Sequence, residues 1–133
     1  HHLEWVWLLD RARAAGLGDR SAAARALYAT AVARGLDGSG FAMREIGRDG
    51  GVIDGGRRLW AQTEAIRTHL LVGDQDQATR LIDAVFDSHL ATATPGLWMD
   101  SYDAEGRTGD VRVPTSTLYH LMTAFTAVLE PNG

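Results

Sequence analysis

Apolar positions recur at helical spacing in five stretches of the chain, most of them bounded by capping or stop residues. From Leu3 to Ala15, residues Trp5, Leu8, Leu9 and Ala12 keep that spacing, and Gly16 and Gly18 end the run. Asp19 or Ser21 can cap a second helix that continues through Arg34 on Leu27, Tyr28, Ala31 and Val32, with Gly35 as its C-cap. A third is predicted from Arg57 to Val72 around Leu59, Trp60, Ile66, Leu70 and Leu71. Asp74 or Asp76 caps a fourth, which carries Ala78, Leu81, Ile82, Val85, Phe86 and Leu90. Thr115 or Ser116 opens the fifth, which runs through Leu118, Leu121, Met122, Phe125 and Val128 and ends before Pro131.

The connections differ in character from the helices. Asp37 to Gly56 is glycine-rich, and within it Phe41–Ile46 and Val52–Asp54 flank Gly47-Arg48-Asp49-Gly50-Gly51, the pattern of a hairpin. Gly96 to Val113 looks similar: Leu97-Trp98-Met99-Asp100-Ser101-Tyr102 precedes a turn at Asp103-Ala104-Glu105-Gly106. Strand-bearing loops at one end of a helical scaffold are a common place to build a site.

Composition narrows the chemistry. The 133 residues suffice for one domain with a core, and 45% are hydrophobic, a globular proportion. A formal charge of −4 argues against a nucleic-acid or anionic-membrane partner, and no apolar run is long enough to span a bilayer. The default expectation is a cytoplasmic soluble protein. Cysteine is absent, which removes thiol catalysis and cysteine metal sites. Lysine is absent as well, since all 13 basic residues are arginine, so Schiff-base and P-loop lysines are excluded. Catalysis would have to use His, Asp, Glu, Tyr or a hydroxyl.

Four groups of residues could carry chemistry. His1 and Glu4 share a helix face, and a carboxylate beside an imidazole raises its basicity and fixes its orientation; a frayed terminus or a leftover purification tag would explain them equally well. Trp60 and Glu64 stack one turn apart with Gln62 between them, offering a flat apolar face and an acceptor of the kind that holds a sugar. The plainer alternative is a core tryptophan with an exposed Glu64–Arg67 or Glu64–Thr68 pair. Trp98 and Asp100 would lie on one face of a strand. His120, with Ser116 a turn earlier, is either a satisfied core histidine or an acid/base group. His69 and His89 read as structural or surface residues, and no histidine cluster has zinc-ligand spacing.

Four segments in order make the pattern specific: His1-His2-Leu3-Glu4-Trp5-Val6-Trp7-Leu8-Leu9, Leu59-Trp60-Ala61-Gln62-Thr63-Glu64-Ala65, Gly96-Leu97-Trp98-Met99-Asp100, and Val113-Pro114-Thr115-Ser116-Thr117-Leu118-Tyr119-His120. Together they resemble the C-terminal part of the N-acylglucosamine 2-epimerase superfamily, closest to its mannose-6-phosphate isomerase-like and mannose isomerase branch. The resemblance implies a mainly α fold: residues 1–133 would be one partial domain, the last five helices of an (α/α)6 barrel. It also implies a 1,2-proton shift on a sugar or sugar phosphate through a cis-enediol, without metal or other cofactor. His1 and His120 would then be the acid and base, with Glu4 tuning His1. Trp60, Glu64, Trp98, Gln62 and Ser116 would bind the sugar. Imidazole suits this task because its ordinary pKa, about 6.5, lets it take and return a proton at neutral pH. Arg57, Arg58 and Arg112 are candidates for a substrate phosphate, or else plain surface charges. A non-catalytic, carbohydrate-binding remnant of such an enzyme is the alternative. A homodimer is compatible with either reading, and an isolated arc of a barrel should expose apolar surface.

Overall fold

The computed structural model describes residues 1–109 and 112–130. Five α-helices form in the predicted order: α1 (His2–Ala14), α2 (Ser21–Thr30), α3 (Leu59–Val72), α4 (Gln75–Asp87) and α5 (Thr115–Leu129). Helix α3 lies at the centre, with α1, α4 and α5 packed against it and α2 packed on the outside of α1. The core gathers Leu3, Leu59, Ala65, Ile66, Leu81, Val85 and Leu121 from α1, α3, α4 and α5, with Ala31 from just beyond α2 and Phe41 from the loop before the sheet. Burial of apolar surface from several elements against one helix is the main favourable term in such a packing.

Local chemistry sets most of the boundaries. Asp74 caps α4 by accepting from the backbone N–H of Gln77 (3.3 Å). Gly73 closes α3 at φ 84°, a left-handed conformation that costs a side-chain-bearing residue and not glycine. The second helix departs from its expected form. It is α-helical only to Thr30, and Ala31–Gly35 continue as a turn of π-helix. Helix α4 ends at Asp87, so Leu90 packs on the core from a turn beyond it. The expected stop of α5 at Pro131, and Asp110 and Val111 within the Gly96–Val113 loop, lie outside the described residues.

Three antiparallel strands cover the start of α3: β1 (Met43–Ile46), β2 (Val52–Arg58) and β3 (Ser101–Tyr102), in the order β1-β2-β3. The predicted hairpin forms, and Gly50 takes φ 83° in the turn while its N–H donates to the carbonyl of Gly47 (2.9 Å). The second strand is longer than expected. Arg57 and Arg58, expected in the helix, pair instead with Tyr102 and Ser101, and α3 begins only at Leu59. A partner strand more than 40 residues away, Ser101–Tyr102, supplies the ladder that holds them extended. Trp98 and Asp100 lie just outside β3 and do not alternate along a strand. No helix among the described residues is long and apolar enough to cross a membrane.

Candidate active site

The junction of β2 and α3 sets a half-buried Trp60 in the first turn of a helix that is buried from Gln62 to His69. Two imidazoles meet it there. The His1 ring lies 5.1 Å from the Trp60 ring, and the His120 ring 5.6 Å from it. His1 immediately precedes α1 and His120 sits in the second turn of α5, so the contacts α3 makes with α1 and α5 bring together residues from opposite ends of the chain. A concavity of about 210 Å³ opens beside Trp60, lined by His1, Glu4, Arg58 and Glu64. Ala31 and Gly35, on the π turn, form part of its wall.

Glu64 is the hinge of this arrangement. It is 2% exposed, and its Oε1 lies 2.8 Å from Nδ1 of His120. The guanidinium of Arg67 donates from one nitrogen to both carboxylate oxygens (2.9 and 3.0 Å). An ionised carboxylate only accepts, so its partner Nδ1 of His120 donates to it, and in a neutral imidazole Nε2 is then the acceptor. Such a carboxylate–imidazole pair fixes both the tautomer and the ring orientation of a proton-transferring histidine. The sequence reading had given Glu64 to a sugar hydroxyl. The carboxylate borders the concavity, but it already holds two protein partners. The Glu64–Arg67 pair, expected on an exposed face, is buried because α5 packs over it.

The histidine near the chain start is placed differently. His1 is exposed, Glu4 is half-buried, and both border the concavity with no hydrogen bond between them. The backbone there is held by α3, whose Thr68 hydroxyl donates to the carbonyl of Leu3 (2.8 Å).

Three expected sugar-binding residues lie elsewhere. Gln62 is wholly buried. Its Oε1 accepts from the N–H of Ala42 (2.7 Å), and its Nε2 donates to the carbonyls of Ala42 (2.9 Å) and Arg58 (3.0 Å). Both amide protons are engaged, and Gln62 staples the sheet to α3. Trp98 packs on the core with its indole N–H buried and without a protein partner. Ser116 is exposed, one turn before His120. Among the candidate phosphate-binding arginines, Arg57 pairs with Asp37 (2.8 Å) and Arg58 with Asp100 (2.7 Å), which leaves both charges compensated. Arg112 borders a wide cleft of about 990 Å³ with Arg44 and Arg58.

Two neighbours of the site were named in the sequence reading without the partners they prove to have. Arg67 holds Glu64, and its spacing to Glu64 was visible although its burial was not. Asp100 is 4% exposed; it receives Arg58 through Nε (3.1 Å) and Nη2 (2.7 Å), and the hydroxyl of Thr117 (2.7 Å). It thereby joins the entry to α3, where Trp60 stands, to the first turn of α5, which leads to His120. Nothing in the local pattern could have signalled a bond across 17 residues.

His69 and His89 are structural. Both are buried; His69 Nδ1 lies 3.0 Å from the Tyr28 hydroxyl, and His89 Nδ1 lies 2.6 Å from the carbonyl of Met99. Burial pulls the pKa of each below its ordinary value; the carboxylates of Asp74 and Asp100 respectively oppose this in part. No group of three metal-ligating side chains gathers among the described residues.

No curated protein matches the chain in sequence. Among solved structures, a D-mannose isomerase superposes with a TM-score of 0.83 at 23% identity, over 98% of this chain and 36% of the isomerase. The fold is therefore shared, and the chain spans little more than a third of that neighbour's length. A family model, N-acylglucosamine 2-epimerase, matches residues 1–124. The chain, with its ordered Trp60, Glu64 and His120 and the histidine that precedes α1, belongs to the N-acylglucosamine 2-epimerase family.

Proposed function

We propose that the protein carrying this chain is a sugar isomerase or epimerase that moves a proton next to the carbonyl of an open-chain sugar through a cis-enediol. The observation that carries this reading is the pair of imidazoles 5.1 and 5.6 Å from one half-buried indole, with His120 held by Glu64 through Nδ1 so that Nε2 faces away from its carboxylate. One imidazole removes the proton from C2 and the other serves as acid at the carbonyl oxygen. Return of the proton to C1 gives the ketose, and return to the opposite face of C2 gives the epimer. Trp60 supplies an apolar face for the sugar C–H groups. Glu4 borders the same concavity as His1 and tunes it.

The substrate class is mannose, mannose 6-phosphate or an N-acylhexosamine, taken up as a small molecule by a cytoplasmic enzyme. The compensated charges of Arg57 and Arg58 favour the unphosphorylated sugars. Within the whole protein this chain would be the last five helices of an (α/α)6 barrel, a single partial domain, and a homodimer is compatible with the exposed apolar surface on α5.

The test is proton exchange. The full-length protein, incubated in deuterated water with mannose, mannose 6-phosphate and N-acetylmannosamine in turn, should incorporate deuterium at C2 of at least one sugar. His120→Ala should lower that rate by about 10²–10⁴-fold, the range for loss of a general acid or base, while leaving the circular dichroism spectrum unchanged. A fully active variant would remove His120 from the mechanism. Absence of exchange with all three sugars would leave the second reading, a carbohydrate-binding remnant.

A further inference from the structure

We propose that Arg67 is the positioning residue of His120. It is not a catalytic residue; it acts at one remove, by fixing the carboxylate that in turn fixes the imidazole. The inference rests on the proton-transfer reading of His120 given above, and it adds a residue that the motif pattern does not single out.

The geometry forms a continuous chain. The guanidinium of Arg67 lies 3.9 Å from the ring of Trp7, on α1, and donates to both oxygens of Glu64, on its own helix. Glu64 accepts from Nδ1 of His120, on α5. Arg67 and Glu64 are 5% and 2% exposed, so neither can exchange its partner for water. A buried carboxylate without a cation would gain a proton or draw the imidazole's proton toward itself. With Arg67 in place it remains an acceptor, and the only hydrogen that His120 can offer it is on Nδ1. Nε2 is then left on the side of the ring away from Glu64, and the His120 ring as a whole lies 5.6 Å from that of Trp60. Stacking on Trp7 matters because a planar guanidinium held by an aromatic face keeps one orientation. A single α3 residue therefore ties α1, which follows His1, to α5, which carries His120.

One alternative is that the Arg67–Glu64 pair is an internal ion pair that merely holds helices together. The two roles separate in the imidazole nitrogens. In the full-length protein with ¹⁵N-labelled histidine, the proposal expects His120 to show a protonated Nδ1 and a bare Nε2 at neutral pH. Arg67→Met should turn that signature into a mixture of tautomers, and Arg67→Lys should restore it, because a single arginine nitrogen makes both contacts and an ammonium can replace it. In the exchange assay, Arg67→Met should lower kcat about 10–100-fold, as loss of a supporting hydrogen-bond partner does. KM should change less than about twofold, since no sugar contact is removed.

Where Arg67→Met does not fold, Arg67→Gln decides the matter, because it keeps a neutral donor in the same place: mixed tautomers support the proposal. A pure Nδ1–H signal for His120 in a folded Arg67→Met or Arg67→Gln protein overturns it. Failure of the function and failure of the clamp remain distinguishable. No C2 exchange by the wild type, with the tautomer pattern as expected, refutes the proton-shift reading alone. Exchange by the wild type, with tautomers indifferent to Arg67, refutes only the clamp.

Discussion

Helices α3 and α5 invert the usual relation between polarity and burial. Helix α3 buries Gln62, Thr63, Glu64, Arg67, Thr68 and His69 in one continuous run. Helix α5 is the more apolar of the two, yet it exposes Leu118, Met122, Phe125 and Leu129, spaced so that they share one face. The difference teaches that position in the packing, rather than hydropathy, decides what is covered. Helix α3 is surrounded, so its polar groups must find partners, and they do: Gln62 on the backbone of Ala42, Thr68 on that of Leu3, Glu64 on Arg67 and His120. Helix α5 has neighbours on one side only. Its opposite side carries an apolar stripe, continued onto α4 by Phe86, whose ring stacks 6.2 Å from that of Phe125.

The comparison can be broken most forcefully at Glu64. Glu64→Leu leaves the guanidinium of Arg67 buried without its counter-ion and should destabilise the fold by about 3–5 kcal/mol. The double variant Glu64→Leu/Arg67→Met should recover most of that loss, because no charge is left alone. Urea denaturation of the four proteins in the cycle measures both. Additive effects of the two substitutions would mean that the pair does not act as a unit.

Acid tests the buried histidines of the same interior. His69 and His89 have folded pKa values below the ordinary imidazole value of 6.5 because burial disfavours the charged ring. The folded state therefore binds fewer protons than the unfolded state once the pH falls below about 6.5. Stability should be fully present above that pH and should decline progressively as the pH falls through it toward the depressed values. Urea midpoints measured between pH 8 and pH 5 check the sign; a midpoint that rises on acidification would contradict it.

The smallest effect on folding is expected on α5. Replacing Leu118 and Met122 with glutamate touches exposed side chains and should change stability by no more than about 0.5 kcal/mol per site. The same change should abolish self-association of the isolated chain, which the apolar stripe otherwise drives. Sedimentation at increasing concentration reads this directly: a wild-type chain that stays monomeric throughout would show that the stripe is not sticky.

The elements themselves were legible. Apolar spacing, Asp74 as a cap and the Gly47–Gly51 turn all act over a few residues, and a local signal can be read locally. The boundary at Leu59 was not, because Arg57 and Arg58 are held extended by β3, a distant strand. Among the site residues, Trp60, Glu64 and His120 stood out by spacing and by family resemblance. The fate of Gln62 and Trp98 did not, since backbone groups and core surface far along the chain claim them. The identity of the participants was thus determined by sequence alone: a polar α3, two histidines at opposite ends, and no lysine or cysteine to take their place. Which carboxylate meets which imidazole was decided only in the folded molecule. Glu64 and His120 are 56 residues apart, and only the packing of α5 over α3 brings them within 2.8 Å and excludes the water that would otherwise weaken the bond.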